Sequence, residues 1–380
     1  MRQCVLTGKW CLYMYGGFKG KPCQMKRSKS DGKKRIEDEP RSVETCPFCC
    51  DGEKSNPDLD RERPGDILRY DNKQKKWISD WSPETGSWSV RVVRNIFPVI
   101  AQRREYYHDG YEPGYPPANS EPMDEPYKQI PSFGHSEVIV ETPHHNVTIA
   151  ISSVEQVKLT VEAMIMRGKA LRSSPCARYV TFFKQHKCGS LIHAHSQLIT
   201  TPFVPSNIRR QCVRARVYHE KHKECAACRV LVRDPITNKE AKKRTVFHTK
   251  HFVVTVPFAA TESKEMIIAP RRHSCDFLDM TEEEMEDFAR CLRTCSRLYY
   301  YYLDDHPWNL AIITCPLRHE SDEERDEYKK YFHWYATVRK KRRHSSASGF
   351  SDASDIGDSP FLPEDDAEIL RAWYGDMVSS

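Results

Sequence analysis

The sequence predicts an α+β protein in which one structural unit occurs twice, in residues 1–205 and again in residues 206–380. Each half contains a Cys-x-x-Cys pair, strand-like apolar segments, one helical pattern and a late strand that carries a histidine. Such self-similarity is typical of a repeated supersecondary unit. The chain of 380 residues is long enough to bury a substantial core.

The first half begins with the pair Cys46-Pro-Phe-Cys49 and ends in the segment SLIHAHSQLI, residues 190–199, which reads as a strand. Between them, β-branched and aromatic residues predict strands in EVIVETP and YVTFF. A helix is expected between these strands, because Ser153 is a good N-cap and Gln156 follows at the capping-box position. Its apolar residues recur at helical spacing and are Val154, Val157, Val161 and Ile165.

The second half repeats this order from the segment CAAC onward. Strands are predicted in HFVVTVPFAA, EMIIAP, NLAIITCP and, last, KYFHWYATV, which has His333 where the first half has His193. Thr281 and Glu284 form a capping box at the start of the second helix. The apolar stripe of that helix is Met285, Phe288, Leu292 and Cys295.

The composition, 39% hydrophobic and 29% charged residues, indicates a globular protein. No apolar run reaches the length of a membrane span, and the N-terminus lacks a signal-peptide layout, so we expect a cytoplasmic protein without membrane contact. The 15 cysteines are therefore not expected to form a disulfide framework. The net charge of +6 suits anionic ligands without requiring nucleic acid. Residues 104–135 and 339–360 are expected to be the loosest segments.

The two Cys-x-x-Cys pairs are predicted to hold two structural zinc ions, because two histidines associated with strands follow each pair. Two thiolates and two imidazoles complete a tetrahedral shell with no open position. A redox role is disfavoured, since neither pair lies between a strand and a helix. The predicted sets are Cys46, Cys49, His145 and His193, and Cys225, Cys228, His273 and His333. His144 and His251 are competing ligands, and hydrogen-bonded core histidines are the alternative.

The triplet in HAHSQ has the chemistry of a phosphoryl-transfer site. Residues two apart in a strand face the same side, so His193, His195 and Gln197 are expected to share one face. If metal holds His193, His195 is left free, and a neutral imidazole is a good nucleophile near neutral pH. Gln197 can donate a hydrogen bond to a phosphoryl oxygen. Gly189 and Ser190 can offer a backbone N–H and a hydroxyl to a phosphate.

HAHSQ resembles the signature of the histidine-triad superfamily, in the branch of galactose-1-phosphate uridylyltransferase. The segments TGKW, CPFC, NIFP, VIVETPHHN, HFVVTVPFAA, EMIIAPRRH and PFLPED resemble family landmarks in family order, over nearly the whole chain. The two complete Cys-Cys-His-His sets look most like the branch of the plant ADP-glucose phosphorylase. The resemblance implies two histidine-triad-like halves, each with an antiparallel sheet and a packed helix, in a homodimer.

The resemblance also implies a ping-pong reaction of galactose metabolism. His195 would attack the α-phosphorus of a nucleotide sugar, release hexose-1-phosphate, and pass the nucleotidyl group to hexose-1-phosphate or phosphate. Gln197 cannot protonate a leaving group, which favours transfer over hydrolysis. Asn95 in NIFP carries over as a nucleotide contact. The second half keeps the metal histidine in HWY and loses the nucleophile, so the first half is expected to be catalytic and the second degenerate.

Departures from the family leave alternatives open. Gln185 stands where the family has an asparagine, and GFSD replaces a GFE segment whose glutamate contacts the sugar. Uridylyl transfer from UDP-glucose is the first expectation, and an ADP-glucose phosphorylase is the second. A dinucleoside-polyphosphate phosphorylase could use the same chemistry. The alternative of another class is a non-catalytic, zinc-stabilised scaffold that binds nucleotides or nucleic acid through RKKRRH, although nucleic acid is not the expected partner.

Overall fold

The structure, a computed structural model, describes residues 2–3, 10–13, 35–43, 46–49, 66–79, 87–95, 100, 134–174, 177–187, 189, 191–317, 322–341, 348–354 and 356–379. The strands are β1 (Arg2–Gln3), β2 (Trp10–Tyr13), β3 (Asp66–Asp71), β4 (Lys76–Ile78), β5 (Trp88–Arg94), β6 (Ser136–Val140), β7 (Tyr179–His186), β8 (His195–Thr201), β9 (Thr245–His248), β10 (Phe252–Thr255), β11 (Met266–Pro270), β12 (Trp308–Ile313), β13 (Tyr335–Lys340) and β14 (Ile356–Ser359).

The α-helices are α1 (Val154–Leu171), α2 (Ser206–His222), α3 (Asp234–Thr237), α4 (Lys239–Lys242), α5 (Glu282–Tyr302), α6 (Asp322–Tyr331), α7 (Ser348–Ser354) and α8 (Pro363–Ser379). Short 3-10 helices lie at Ile36–Asp38 and Phe277–Asp279, and a π-helical turn at Cys228–Arg233 leads into α3. None of the described helices is both long enough and apolar enough to cross a membrane.

An eleven-stranded sheet organises the described part of the chain, in the order β4-β3-β5-β6-β8-β7-β12-β13-β11-β10-β9. All neighbouring strands in it are antiparallel. First-half strands occupy one side and second-half strands the other, and they meet where β7 pairs with β12, from Phe182–Ile312 to His186–Trp308. The predicted α+β fold with two antiparallel half-sheets is confirmed. The sequence pattern did not predict that the two half-sheets join into one continuous sheet.

The strand order is the same on both sides of this junction, β6-β8-β7 in the first half and β11-β13-β12 in the second. Helix α1 precedes β7, and α5 precedes β12. The two helices pack against each other. The repeated unit is therefore a strand, a helix and two further strands, and each unit places its histidine segment at the same point. The exact point of division, at residue 205, stays a prediction.

One hydrophobic core lies between these helices and one face of the sheet. Burying each large apolar side chain there contributes about 1.5–3 kcal/mol. Core residues at most 2% exposed come from both halves and include Val157, Phe182, Leu198, Phe288 and Leu310. The intervening residues of β7 and β8, such as Phe183 and Gln197, are partly exposed on the opposite face. We therefore expect ligands to bind on this second, partly exposed face of the sheet.

Both predicted helices begin at the expected N-caps. In α1, the Ser153 hydroxyl accepts a hydrogen bond from the backbone N–H of Gln156 at 3.1 Å. The Gln156 side chain does not complete a capping box, because its amide donates to the carbonyls of Ser89 and Glu141 at 2.9 and 2.6 Å. The Gln156 side chain therefore links α1 to the sheet, and a local sequence pattern cannot predict such a long-range contact. In α5, the predicted capping box is complete.

The strands that follow the metal-set histidines begin later than predicted. β8 starts at His195 and β13 at Tyr335, so His193 and His333 lie in the turns before them. In these segments each imidazole turns Nδ1 toward a cysteine of its metal set and donates Nε2–H to a backbone carbonyl. KYFHWYATV is also not the last strand, since β14 follows and pairs in parallel with β2. Residues 104–133, 342–347 and 355 of the two expected loose segments lie outside the described residues.

Candidate metal centres and active site

The first predicted metal set is assembled from three separate parts of the chain. Cys46 and Cys49 lie in one turn, His145 follows β6, and His193 precedes β8; their four ligand atoms lie within 4.8 Å of one another. The Cys49 Sγ is 3.3 Å from the Nδ1 atoms of both His145 and His193. The Cys46 Sγ is 3.6 Å from His193 Nδ1. Tetrahedral zinc, with its usual bond lengths, separates sulfur and nitrogen ligands by about 3.5 Å, so the four atoms fit a zinc ion.

A hydrogen bond determines which nitrogen of His193 faces the cysteines. The Nε2–H of His193 donates to the Thr142 carbonyl at 2.7 Å. A carbonyl can only accept, so the proton resides on Nε2 and the Nδ1 lone pair points toward the thiols. Metal-ligating histidines in proteins are oriented by such bonds to their second nitrogen. The His193 ring is fully buried and lies against the His145 ring.

The second set has the same construction around Cys225, Cys228, His273 and His333. The Cys228 Sγ lies 3.0 Å from His273 Nδ1 and 3.3 Å from His333 Nδ1. Both histidines donate Nε2–H to backbone carbonyls, at 2.6 and 3.0 Å. The donor set, the ring orientation and the distances again fit a closed zinc shell.

The thiols of the two sets differ in their proton affinity. Burial raises the pKa of the Cys46 thiol to about 12, so this thiol would lose its proton only beside a cation. In the second set, a hydrogen bond from Cys228 lowers the pKa of Cys225 and raises the pKa of Cys228. Binding of a metal cation to either set would release protons.

The competing histidines lie outside both sets. The His144 ring is 3.2 Å from the guanidinium of Arg41. His251 Nε2 is 3.4 Å from the Glu283 carboxylate. Of the alternatives weighed from the sequence, the geometry therefore favours His145 and His273.

His195 occupies the first position of β8 and is 7% exposed. Its Nδ1–H donates to the His193 carbonyl at 2.8 Å, which leaves the Nε2 lone pair available. The Phe48 ring lies 5.7 Å from the His193 ring and 5.6 Å from the His195 ring, between centroids. Phe48 therefore joins the first metal set to the free histidine. No sequence signal distinguishes Phe48 as a site residue, although it lies inside the CPFC segment.

The surroundings of His195 keep it neutral. Burial lowers the pKa of the imidazole, and the positive charge of Lys184 lowers it further, while the bond to the His193 carbonyl and the charge of Glu141 oppose them. The ring is therefore unprotonated at Nε2 at neutral pH. An unprotonated nitrogen with a fixed tautomer is what a nucleophilic imidazole requires.

Two of the other predicted site residues lie next to His195. Gln197 follows on the same face of β8 and is partly exposed. A Cβ atom placed on Gly189 would come within 4.0 Å of His195 Cε1, so the Gly189 backbone lies beside the imidazole. Ser190 lies outside the described residues.

Asn95 lies farther from the imidazole. Its backbone N–H donates to the Ser136 carbonyl at 2.9 Å, and Ser136 pairs with Ile199 of β8. Ile199 is four residues beyond His195, which is about 13 Å along a strand. A nucleotide contact at Asn95 would therefore involve a part of the ligand distant from the phosphorus that His195 attacks.

The second half has a different side chain at the matching point. Tyr335, two residues after His333, is 5% exposed and donates its hydroxyl to Gln211 Oε1 at 2.9 Å. Trp334 is fully buried in the core. These side chains make packing and internal hydrogen bonds, and they offer no nucleophile beside the second metal set.

No family model matches the chain. A galactose-1-phosphate uridylyltransferase of Thermotoga maritima is 26% identical over 322 residues, which cover 80% of this chain and 97% of that protein. The chain is a homologue of the galactose-1-phosphate uridylyltransferases. ADP-glucose phosphorylase of Arabidopsis thaliana is 23% identical over 377 residues, 98% of this chain and 92% of that protein.

A crystal structure extends this relationship to the fold. ADP-glucose phosphorylase from Arabidopsis thaliana with bound ADP-glucose superposes with a TM-score of 0.67 at 23% identity, over 87% of this chain and 90% of that chain. The resemblance inferred from HAHSQ and the accompanying segments is thereby confirmed. The names of these relatives describe enzymes that transfer nucleotidyl groups.

Proposed function

We propose that the protein is a nucleotidyltransferase that acts on nucleotide sugars through a covalent nucleotidyl-His195 intermediate. The observation that carries the proposal is the hydrogen bond from His195 Nδ1–H to the His193 carbonyl, which leaves Nε2 free. The substrate pair we favour is UDP-glucose and galactose-1-phosphate, since relatives are named galactose-1-phosphate uridylyltransferase. Residues 1–205 would carry catalysis, and residues 206–380 would be a degenerate copy.

In the first step, His195 Nε2 attacks the α-phosphorus. A P–N bond forms, the P–O bond to the β-phosphate breaks, and hexose-1-phosphate leaves with the electron pair. The imidazole ring becomes cationic, with its proton still on Nδ1. The His193 carbonyl accepts that proton's hydrogen bond at 2.8 Å, and this bond strengthens as positive charge develops on the ring.

In the second step, a phosphate oxygen of the acceptor attacks the same phosphorus and the P–N bond breaks. The electron pair returns to Nε2, and the ring is neutral again. Both leaving groups are stable without protonation, so Gln197 serves as a hydrogen-bond donor to the phosphoryl oxygens and not as an acid. The backbone of Gly189, beside the ring, would contribute a further donor.

Zinc in the two Cys-Cys-His-His sets would be structural, since closed shells leave no position for substrate. In the first set, Cys46, Cys49, His145 and His193 would tie the CPFC turn to the start of β8. His193 then presents its own carbonyl to His195 at a fixed place. The second set would tie the π-helical turn at Cys228–Arg233 to β11 and β13. A homodimer is the assembly we propose.

A labelling experiment tests the function. The protein is incubated with UDP-glucose and, separately, with ADP-glucose, each labelled in the α-phosphate, and acid-labile label on the protein is measured. Label that appears in the wild type and not in His195→Gly supports the proposal. An equal signal from both proteins, or none from either sugar nucleotide, contradicts it.

Adenylyl transfer is the second candidate, because the Arabidopsis ADP-glucose phosphorylase matches 98% of the chain. The same labelling experiment separates the two, since only the preferred nucleotide sugar labels His195 at low concentration. Adding phosphate or hexose-1-phosphate to the labelled protein then identifies the acceptor, because the true acceptor discharges the label.

A further inference from the structure

A buried ion pair lies next to β8, the strand that carries His195, on the core face of the sheet. The Lys184 ammonium on β7 is 3.0 and 2.9 Å from the two carboxylate oxygens of Glu141, which follows β6. The two side chains are 1% and 4% exposed. They face the core side of the sheet, opposite the face that carries Gln197.

The hydrogen bonds of this pair reach three consecutive residues around the nucleophile. The Glu141 backbone N–H donates to the Ala194 carbonyl at 3.1 Å. Lys184 Nζ donates to the His195 carbonyl at 3.3 Å. The Ser196 hydroxyl donates to the Glu141 carboxylate. Both peptide groups that flank His195 are therefore held by hydrogen bonds from the core side of the sheet.

Stability alone does not account for this arrangement. A buried ion pair loses the hydration of both charges, and apolar side chains of similar size are often as stabilising or more so. The adjacent row of the same face, where Phe182 pairs with Leu198, is apolar and fully buried. A charged pair in this place needs another reason.

The second half provides an internal comparison. There His333 donates to the Pro270 carbonyl, as His193 donates to the Thr142 carbonyl in the first half. The residue before the acceptor carbonyl is Glu141 in the first half and Ala269 in the second. By strand register, Ile139 opposite Ser196 corresponds to Ile268 opposite Ala336, so Pro270 takes the place of Glu141 on the core face. Neither Ala269 nor Pro270 carries a charge.

The other two members of the network also have apolar counterparts. Ser196, three residues after its metal-set histidine, pairs with Lys184. Ala336, three residues after His333, pairs with Ile312. A unit with the same fold and the same Cys-Cys-His-His set thus lacks every charged or hydroxyl member of the network, and it also lacks the nucleophile.

We propose that Lys184 and Glu141 are positioning residues for the transfer reaction, which hold the His195 backbone so that Nε2 meets the phosphorus in line. This rests on the proposed function. The network maintains the bond between His195 Nδ1 and the His193 carbonyl by fixing the residues on both sides of it. Misplacement of a reacting group by about 1 Å costs about a hundredfold in rate.

The test copies the second half into the first. The triple variant Glu141→Ala, Lys184→Ile, Ser196→Ala removes the network without leaving an unpaired charge, which a single Lys184→Ile would do. The matched control is Glu137→Leu with Arg167→Met, which removes another ion pair, at 2.7 Å, between β6 and α1. Zinc content, thermal unfolding, nucleotide-sugar affinity and the single-turnover labelling rate are measured for all proteins.

We expect the triple variant to fold, to keep its zinc, and to bind the nucleotide sugar within about twofold of wild type. Its labelling rate should fall about 10- to 100-fold, while the control changes little. A folded triple variant with a rate within twofold of wild type would overturn the proposal. So would a triple variant that fails to fold or loses zinc, because the network would then serve the fold.

A second readout is independent of the reaction. Nitrogen NMR of labelled histidine reports the tautomer of His195 in the absence of substrate. We expect a single Nδ1–H tautomer in wild type and control, and a mixture in the triple variant. If the wild type takes no label, the proposed function fails, and this spectrum still decides the positioning role: an unchanged tautomer in the triple variant would refute it.

Discussion

Substitution of one cysteine in each metal set separates the two sets by their roles. Cys49 contacts both histidines of its set at 3.3 Å, and Cys228 contacts both of its own at 3.0 and 3.3 Å, so Cys49→Ala and Cys228→Ala are equivalent changes. A structural zinc ion contributes an apparent free energy of about 10–16 kcal/mol in small peptides. If four ligands share that energy equally, loss of one weakens zinc binding by about 2.5–4 kcal/mol, which is about 70- to 900-fold.

The consequences for activity should differ. Cys49→Ala loosens the turn that contains Phe48 and frees His193, whose carbonyl holds His195 at 2.8 Å. We expect the transfer rate to fall about 10- to 100-fold. Cys228→Ala acts on the half without a nucleophile, so it should lower the unfolding temperature while reducing the rate much less.

Three measurements decide this prediction: zinc per chain by elemental analysis, thermal unfolding, and turnover at a temperature where both variants are folded. When dialysed against a chelator at a concentration that leaves both sites of the wild type occupied, each variant should lose one zinc ion per chain. Equal loss of turnover in two folded variants would refute the assignment of separate roles. Full zinc content in both would refute the metal sets themselves.

Three further predictions concern single groups. Gln197→Ala should slow transfer about 10- to 100-fold, because it removes a hydrogen bond to a charged group. Gln197→His should raise the ratio of hydrolysis to transfer, and an unchanged ratio would contradict the role of Gln197. Burial lowers the pKa of His195 below its usual 6.5, so the imidazole stays neutral as the pH falls through that value. The labelling rate should therefore decline only at lower pH, and a decline centred at pH 6.5 or above would count against this. Thr281→Ala removes the α5 cap and should destabilise the protein by about 1 kcal/mol in denaturant unfolding without changing the labelling rate.

Much of the fold could be predicted from the sequence, because the decisive signals are local. Alternating apolar residues in YVTFF and the capping box at Thr281 depend on neighbouring residues alone, and both elements form. The grouping of cysteines and histidines followed from donor chemistry repeated in two halves. The pairing of β7 with β12 could not be predicted, because no local residue pattern specifies which strand will lie beside another.

In the candidate site, too, local features could be predicted from the sequence and long-range contacts could not. His195 and Gln197 are recognisable from their spacing, and the structure places them on one face of β8. Lys184 and Glu141 gave no sequence signal, since they are 43 residues apart and become partners only when β8 lies between β6 and β7. The late start of β8 could not be predicted, because apolar residues before His193 continue the strand pattern, while His193 itself faces thiols that are distant in the sequence.

The central claim is that His195 Nε2 carries the nucleotidyl group. Its most direct test is mass spectrometry of protein quenched during turnover with UDP-glucose or ADP-glucose, followed by mapping of the adduct. We expect a single acid-labile nucleotidyl group on His195, absent from His195→Gly. An adduct on another residue, or turnover without any adduct in a protein that lacks His195, would contradict it.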